Sequence, residues 1–186
     1  MMILKTFLFL LLGCITGIHS FAQASKILTN VSIKSEILAR DKLFNIYLPP
    51  DYDSSQEVYP VLYLLHGSGT RPDLHQRLVD AGFQGKMDSL IASGKVNPMV
   101  VVIPDAEMTF YLNNINGDYQ FENYFIEELV PAVEKRFKCG GEKAFRGIAG
   151  QSMGGFGALL YSLHLSLIHI SEPTRQYCQS RMPSSA

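Results

Sequence analysis

The segment Phe145–Ala149 reads as a short buried strand, and it runs into Gly150-Gln151-Ser152-Met153-Gly154, a G-x-S-x-G sequence. Gly155-Phe156-Gly157-Ala158-Leu159-Leu160 follows, a helix with small residues at its start. Few local patterns restrict a fold more. A strand that turns this sharply into a helix forces the central residue into strained backbone angles, and glycines on either side leave room for the neighbouring chain. The Ser152 hydroxyl is then raised at the C-terminal edge of a sheet, beside a helix N-terminus whose dipole favours developing negative charge. In this setting Ser152 is a candidate nucleophile. The competing reading is a glycine- and serine-rich turn packed tightly for structural reasons.

The rest of the chain supplies the sheet that such an elbow needs. Asn30–Ile37 alternates polar and apolar residues, as an edge strand does, and Leu43–Leu48 alternates again before Pro49-Pro50. Asp51–Gln56 is a turn or loop. Val61–Leu65 and Met99–Ile103 are continuous apolar runs, which suit strands covered on both faces. Residues 73–92 carry helical spacing through Leu74, Leu78, Phe83, Met87, Leu90 and Ile91. Tyr119–Phe137 is an amphipathic helix, with Pro131 inside it as a kink. Buried strands alternating with helices predict an α/β fold with a mostly parallel sheet.

Both ends read as foreign to that fold. Lys5, the apolar stretch from Phe7 to about Ile18, and Ala22-Gln23-Ala24 have the order of a secretory signal peptide cleaved before Ser25. The apolar run is shorter than the roughly 20 residues that span a bilayer. Leu11-Leu12-Gly13-Cys14 also resembles a lipobox, which would place a lipid anchor on Cys14. Either reading predicts a secreted or periplasmic protein. At the other end, Leu165–Arg175 and Ser180–Ala186 resemble in-frame translations of the two ends of a sequencing-library adapter, with Gln176–Gln179 as the barcode between them. The predicted domain is therefore 25–164. It holds 13 basic and 16 acidic residues, a balance that gives no reason to expect nucleic acid or an anionic membrane as partner. Its single cysteine, Cys139, excludes an internal disulfide and reads as a small half-buried residue.

Leu65-His66-Gly67-Ser68-Gly69 follows the first buried strand, the place for the second half of an oxyanion hole. Acyl transfer needs N–H donors aimed at the carbonyl oxygen as it becomes an oxyanion, and loss of one such donor costs about 10²–10³ in rate. The backbone amides of Met153 and Ser68 are the candidates. His66 is expected to brace this loop by hydrogen bonds rather than to act as a base. Phe110, Tyr111 and Asn113, with Asn114 and Tyr119, lie after a central strand and are candidates for lining a substrate pocket. An ordinary surface loop is the alternative for them.

These pieces resemble one esterase branch of the α/β-hydrolases, which holds S-formylglutathione hydrolase (esterase D), feruloyl and acetyl-xylan esterases, enterochelin esterases and mycolyltransferases. The matching segments are Tyr47-Leu48-Pro49-Pro50 with Tyr52, Tyr59–Gly67, Val102-Ile103-Pro104-Asp105, Glu127–Pro131 and Ile148–Gly155. The resemblance implies the N-terminal part of an α/β-hydrolase fold. It also implies a serine esterase that needs no metal or cofactor and acts on a small-molecule or carbohydrate ester.

Such enzymes order their triad as Ser, then Asp or Glu, then His. After Ser152 only twelve residues precede the adapter-like tail, so the fold is expected to stop after the helix that follows the elbow. His164 is among those residues, but at helical rise it stands roughly 18 Å from Ser152, out of hydrogen-bond reach. Asp105 precedes Ser152 and is expected to cap a loop. The chain as written is thus expected to hold a nucleophile without its base, and to be inactive. An acyltransferase on the same scaffold and a non-catalytic binding module are the other two functions compatible with these residues.

Overall fold

A β-hairpin opens the fold. Lys26–Ser35 (β1) and Arg40–Leu48 (β2) pair antiparallel, with Ser35 opposite Arg40. The structure, a computed structural model, describes residues 23–164. The signal-peptide stretch up to residue 22, Cys14, and the adapter-like residues 165–186 lie outside the described residues. β1 starts four residues earlier than alternation alone suggests, because its register shifts between Leu28 and Val31. Asn30 takes φ 53° at that irregularity, and its N–H donates to Asn45 Oδ1 at 2.8 Å. A bulge of this kind moves side chains to the other face and hides the period of two.

Val61–Leu65 (β3), Val100–Pro104 (β4) and Arg146–Gly150 (β5) complete a five-stranded sheet of order β1-β2-β4-β3-β5. The sheet is mixed. β4, β3 and β5 are parallel, joined through helices, whereas β2 meets β4 antiparallel with Phe44 opposite Pro104. Alternation along β3 divides two cores. Val61, Tyr63 and Leu65 face the layer that contains Phe121, Phe125, Leu129 and Tyr161. Leu62 and Leu64 face Leu78, Phe83 and Met87 on the other side.

The single helix expected over 73–92 is broken. A short turn at Leu74–Gln76 leads into Arg77–Asp80 (α1), and Phe83–Ala92 (α2) restarts after Gly82, which sits at φ 74°. A left-handed residue ends a helix, and glycine adopts that conformation at least cost. The helix predicted around Pro131 is also composite. Phe121–Asn123 (α3) passes into a π-helical stretch, Tyr124–Leu129, and then into Val130–Arg136 (α4). The Val130 N–H donates to the Phe125 carbonyl, five residues back. Pro131 has no N–H, and its ring would crowd the carbonyl four residues before it. The widened turn just upstream relieves that clash without a break in the helix. Met153–His164 (α5) follows β5 directly.

Candidate active site

Ser152 stands between β5 and α5 with φ 54°, solvent-exposed, in the left-handed region that a serine rarely adopts. The neighbouring sequence holds it there. The Gly154 N–H donates to the Gln151 carbonyl at 2.9 Å, and the Phe156 N–H donates to the Ser152 carbonyl at 3.0 Å, closing the first turn of α5. A Cβ on Gly150 would lie 2.2 Å from the Gly154 oxygen, and one on Gly154 would lie 2.1 Å from the Leu65 oxygen. Both glycines are therefore required by the close approach of three backbone segments. Met153 opens α5, so its N–H is one of the donors that a helix start leaves without an intrahelical partner.

The loop after β3 packs onto this elbow. The Gln151 N–H donates to the Leu65 carbonyl at 3.3 Å. A Cβ built on Gly67 would lie 3.1 Å from the Gln151 oxygen and 3.5 Å from Ser152 Cβ. Ser68, one residue on, is exposed. The structure thus places Gly67 against Gln151 and Ser152, with Met153 next along the chain from Ser152 and Ser68 next from Gly67.

His66 is buried and fully occupied. The Ala106 N–H donates to its Nε2 at 3.1 Å, so Nδ1 carries the ring proton and donates to the Gly67 carbonyl at 3.0 Å. Burial pushes the imidazole below its ordinary value, which keeps it neutral. With both nitrogens engaged it cannot serve as a base, and it braces the loop as expected. It also fixes the Ser68 amide: the Gly67 carbonyl and the Ser68 N–H share one planar trans peptide and point in opposite directions.

Tyr111 was expected to line a pocket, and here the structure corrects the sequence reading. Tyr111 is wholly buried beneath the elbow. Its hydroxyl donates to the His66 carbonyl at 3.0 Å, and its own carbonyl accepts from Tyr161 Oη at 2.6 Å. Its ring packs so closely on α5 that a Cβ on Gly157 would meet it at 2.7 Å. Asn113 is likewise structural. Its carboxamide bridges to Asn123, donating at 2.8 Å to the side-chain oxygen and accepting at 3.2 Å from the backbone N–H. Phe110 is exposed at φ 54°. The cleft that adjoins the elbow lies elsewhere, on the side of α1. It has a volume of about 330 Å³ and is lined by residues that include Leu65, Gly67, Leu74, Leu78, Gly150 and Gln151.

Sequence reasoning missed the polar cluster that holds the Asp105–Glu107 loop. Lys42, buried on β2, pairs with Glu107 at 2.8 Å and lies 3.8 Å from Asp105. Asp105 Oδ1 accepts from the Glu107 N–H at 3.2 Å, which is the loop-capping role expected for it. Burial alone would raise its carboxyl, but His75 and the Lys42 ammonium outweigh that and hold it below the usual carboxylate range. The sequence offered no signal for this cluster beyond a lysine next to the alternating run Leu43–Leu48. Cys139 is buried, its thiol pushed up to about 12 by burial and by Glu134, so it is no nucleophile at neutral pH.

The family described as "Putative esterase" matches residues 35–167, most of the chain. The chain belongs to this esterase family. It is 41% identical over 122 residues to an esterase of Mycobacterium tuberculosis, which covers 63% of this chain and 25% of that protein. It is 36% identical over 140 residues to an endo-1,4-beta-xylanase/feruloyl esterase of Xylanibacter ruminicola, covering 72% of this chain and 19% of the other. A solved ferulic acid esterase superposes with a TM-score of 0.69 at 32% identity, over 78% of this chain and 56% of its own. The chain therefore spans a quarter or less of these two curated relatives and just over half of that solved structure. The esterase family also accounts for the α/β-hydrolase architecture.

Proposed function

We propose that this chain is the nucleophile-bearing part of an exported serine carboxylic-ester hydrolase. Ser152 Oγ attacks the ester carbonyl, the alcohol leaves, and water releases the acid from the acyl-enzyme. The Met153 and Ser68 amides receive the developing oxyanion. The observation that carries this reading is Ser152 at positive φ on a strand-to-helix turn, with the Gly67 loop packed against it. Membership of the esterase family supports it. Feruloyl esterase relatives favour acyl or feruloyl groups on sugars as the substrate class.

The general base is assigned to residues that follow His164 in a longer gene product. Among the described histidine side chains, His66 has both ring nitrogens engaged, and His75 Nε2 is bonded at 3.1 Å to Asn30. On this reading the 186-residue chain hydrolyses no ester by itself, and export follows from the leader-like N-terminus.

The test starts at the gene. Resequencing the genomic locus from codon 140 onward is expected to continue the frame past His164 to a further Asp or Glu and then a His. That longer protein should hydrolyse methyl ferulate or an acetylated sugar, label with a fluorophosphonate probe, and lose both properties in Ser152→Ala. A genome that encodes Leu165–Ala186 followed by a stop would sink the enzyme reading. Transfer of the acyl group to an added alcohol in preference to water would make it an acyltransferase.

A further inference from the structure

Gln23 precedes β1 and is tied to the fold at three points. Its N–H donates to Asp51 Oδ1 at 2.6 Å, its carbonyl accepts from the Asp51 N–H at 3.0 Å, and its Nε2 donates to Asp53 Oδ2 at 3.0 Å. Asp51 lies just after β2 at φ 61°, and it turns both its amide and its carboxylate toward Gln23. Asp53 also pairs with Lys26, the first residue of β1. Two residues on, Ser25 is only 7% exposed. Its hydroxyl donates to Asp88 at 2.7 Å, and Gln84 Nε2 donates to its carbonyl and its Oγ, each at 3.0 Å.

We infer that a signal peptidase cuts the Ala22–Gln23 bond, so that the exported chain begins at Gln23. The inference rests on the export reading above and moves the cut two residues upstream of the Ala22-Gln23-Ala24 site. The peptide bond is hydrolysed: the hydroxyl of water goes to the Ala22 carbonyl, and its proton goes to the Gln23 nitrogen. The new α-ammonium forms where an N–H already meets the Asp51 carboxylate, and a neutral hydrogen bond becomes a charge-assisted one. A cut after Ala24 would discard all three Gln23 bonds. The sequence allows the upstream cut. Ser20 and Ala22 are small residues at the third and first positions before it, the same requirement that Ala22 and Ala24 meet for the downstream one.

The experiment is to express the complete gene with its own leader in an exporting bacterial host, and to read the N-terminus of the product by intact mass and terminal sequencing. A start at Gln23, with or without loss of ammonia by cyclisation of its side chain, is the expected result. A start at Ser25 overturns the inference and leaves export standing. A start at Met1 overturns export and the inference with it, and a lipid-modified Cys14 overturns the cut at Ala22. A second measurement tests the anchor itself. Complete-gene chains made to begin at Gln23 and at Ser25 are compared by thermal unfolding, each with and without Asp51→Ala. The Gln23 chain is expected to melt higher, and Asp51→Ala to narrow the gap. Equal melting temperatures would overturn the anchoring argument.

Discussion

β4 and β5 flank the same strand, each in parallel with β3, and each is five residues long. Every residue of β4 is buried, four of them completely, whereas every residue of β5 is half-buried. The difference comes from position in the sheet. β4 has β2 on its other side, and β5 has no second neighbour among the described residues. β4 is held by apolar packing on both faces. β5 is held by β3, by α5, and by a two-pronged ion pair from Arg146 to Glu134 on α4, at 2.5 and 2.7 Å. The strand that leads into Ser152 is thus the less enclosed of the two, and its geometry depends more on backbone fit than on hydrophobic burial.

Truncation of one isoleucine on each strand tests this directly. Ile103→Ala on β4 is expected to cost about 4 kcal/mol, within the range for a fully buried large-to-small change. Ile148→Ala on β5 should cost about 1 kcal/mol, since less area is removed from water. Urea unfolding of both variants gives the ratio, and equal costs would break the contrast. Backbone fit is tested by Gly154→Ala, where the added methyl meets the Leu65 carbonyl. The expected loss is about 3 kcal/mol, large for one carbon in the first turn of α5.

His66 links the two strands, because it receives the amide after β4 and braces the loop against the elbow after β5. Its folded-state value lies below the ordinary 6.5, so below that pH the unfolded chain takes up a proton that the folded chain excludes. Stability should therefore fall as pH drops through about 6.5 toward the folded value. His66→Gln should flatten that slope in unfolding measured across pH, and an unchanged slope would show that other groups set it. The smallest effect is expected at Ser152 itself. Ser152→Gly relieves the positive φ and should raise stability by about 0.5–1 kcal/mol.

The sequence exposed the strands of the central sheet because burial on two faces requires uninterrupted apolar residues, and Val61–Leu65 satisfies that without ambiguity. It exposed the elbow because close backbone approach at Gly150 and Gly154 leaves no room for a side chain, and only glycine meets that. It did not expose the bulge at Asn30 or the π-helical turn before Pro131, where one local irregularity rewrites the period. The roles of Tyr111 and Asn113 were illegible for another reason. Aromatic and amide side chains suit a pocket wall and a buried brace equally well, and only packing against Gly157, His66 and Asn123 decides between them. Lys42 falls just before the alternating run Leu43–Leu48, and its partners come from a loop more than sixty residues away.

The brace on the Gly67 carbonyl has a consequence for redesign. The direction of the next amide is set from behind by an imidazole, while the Ser68 side chain projects into solvent. Position 68 can then be randomised to reshape the rim of the cleft without re-aiming the donor. Proline, which has no N–H to aim, is the one substitution such a library must leave out.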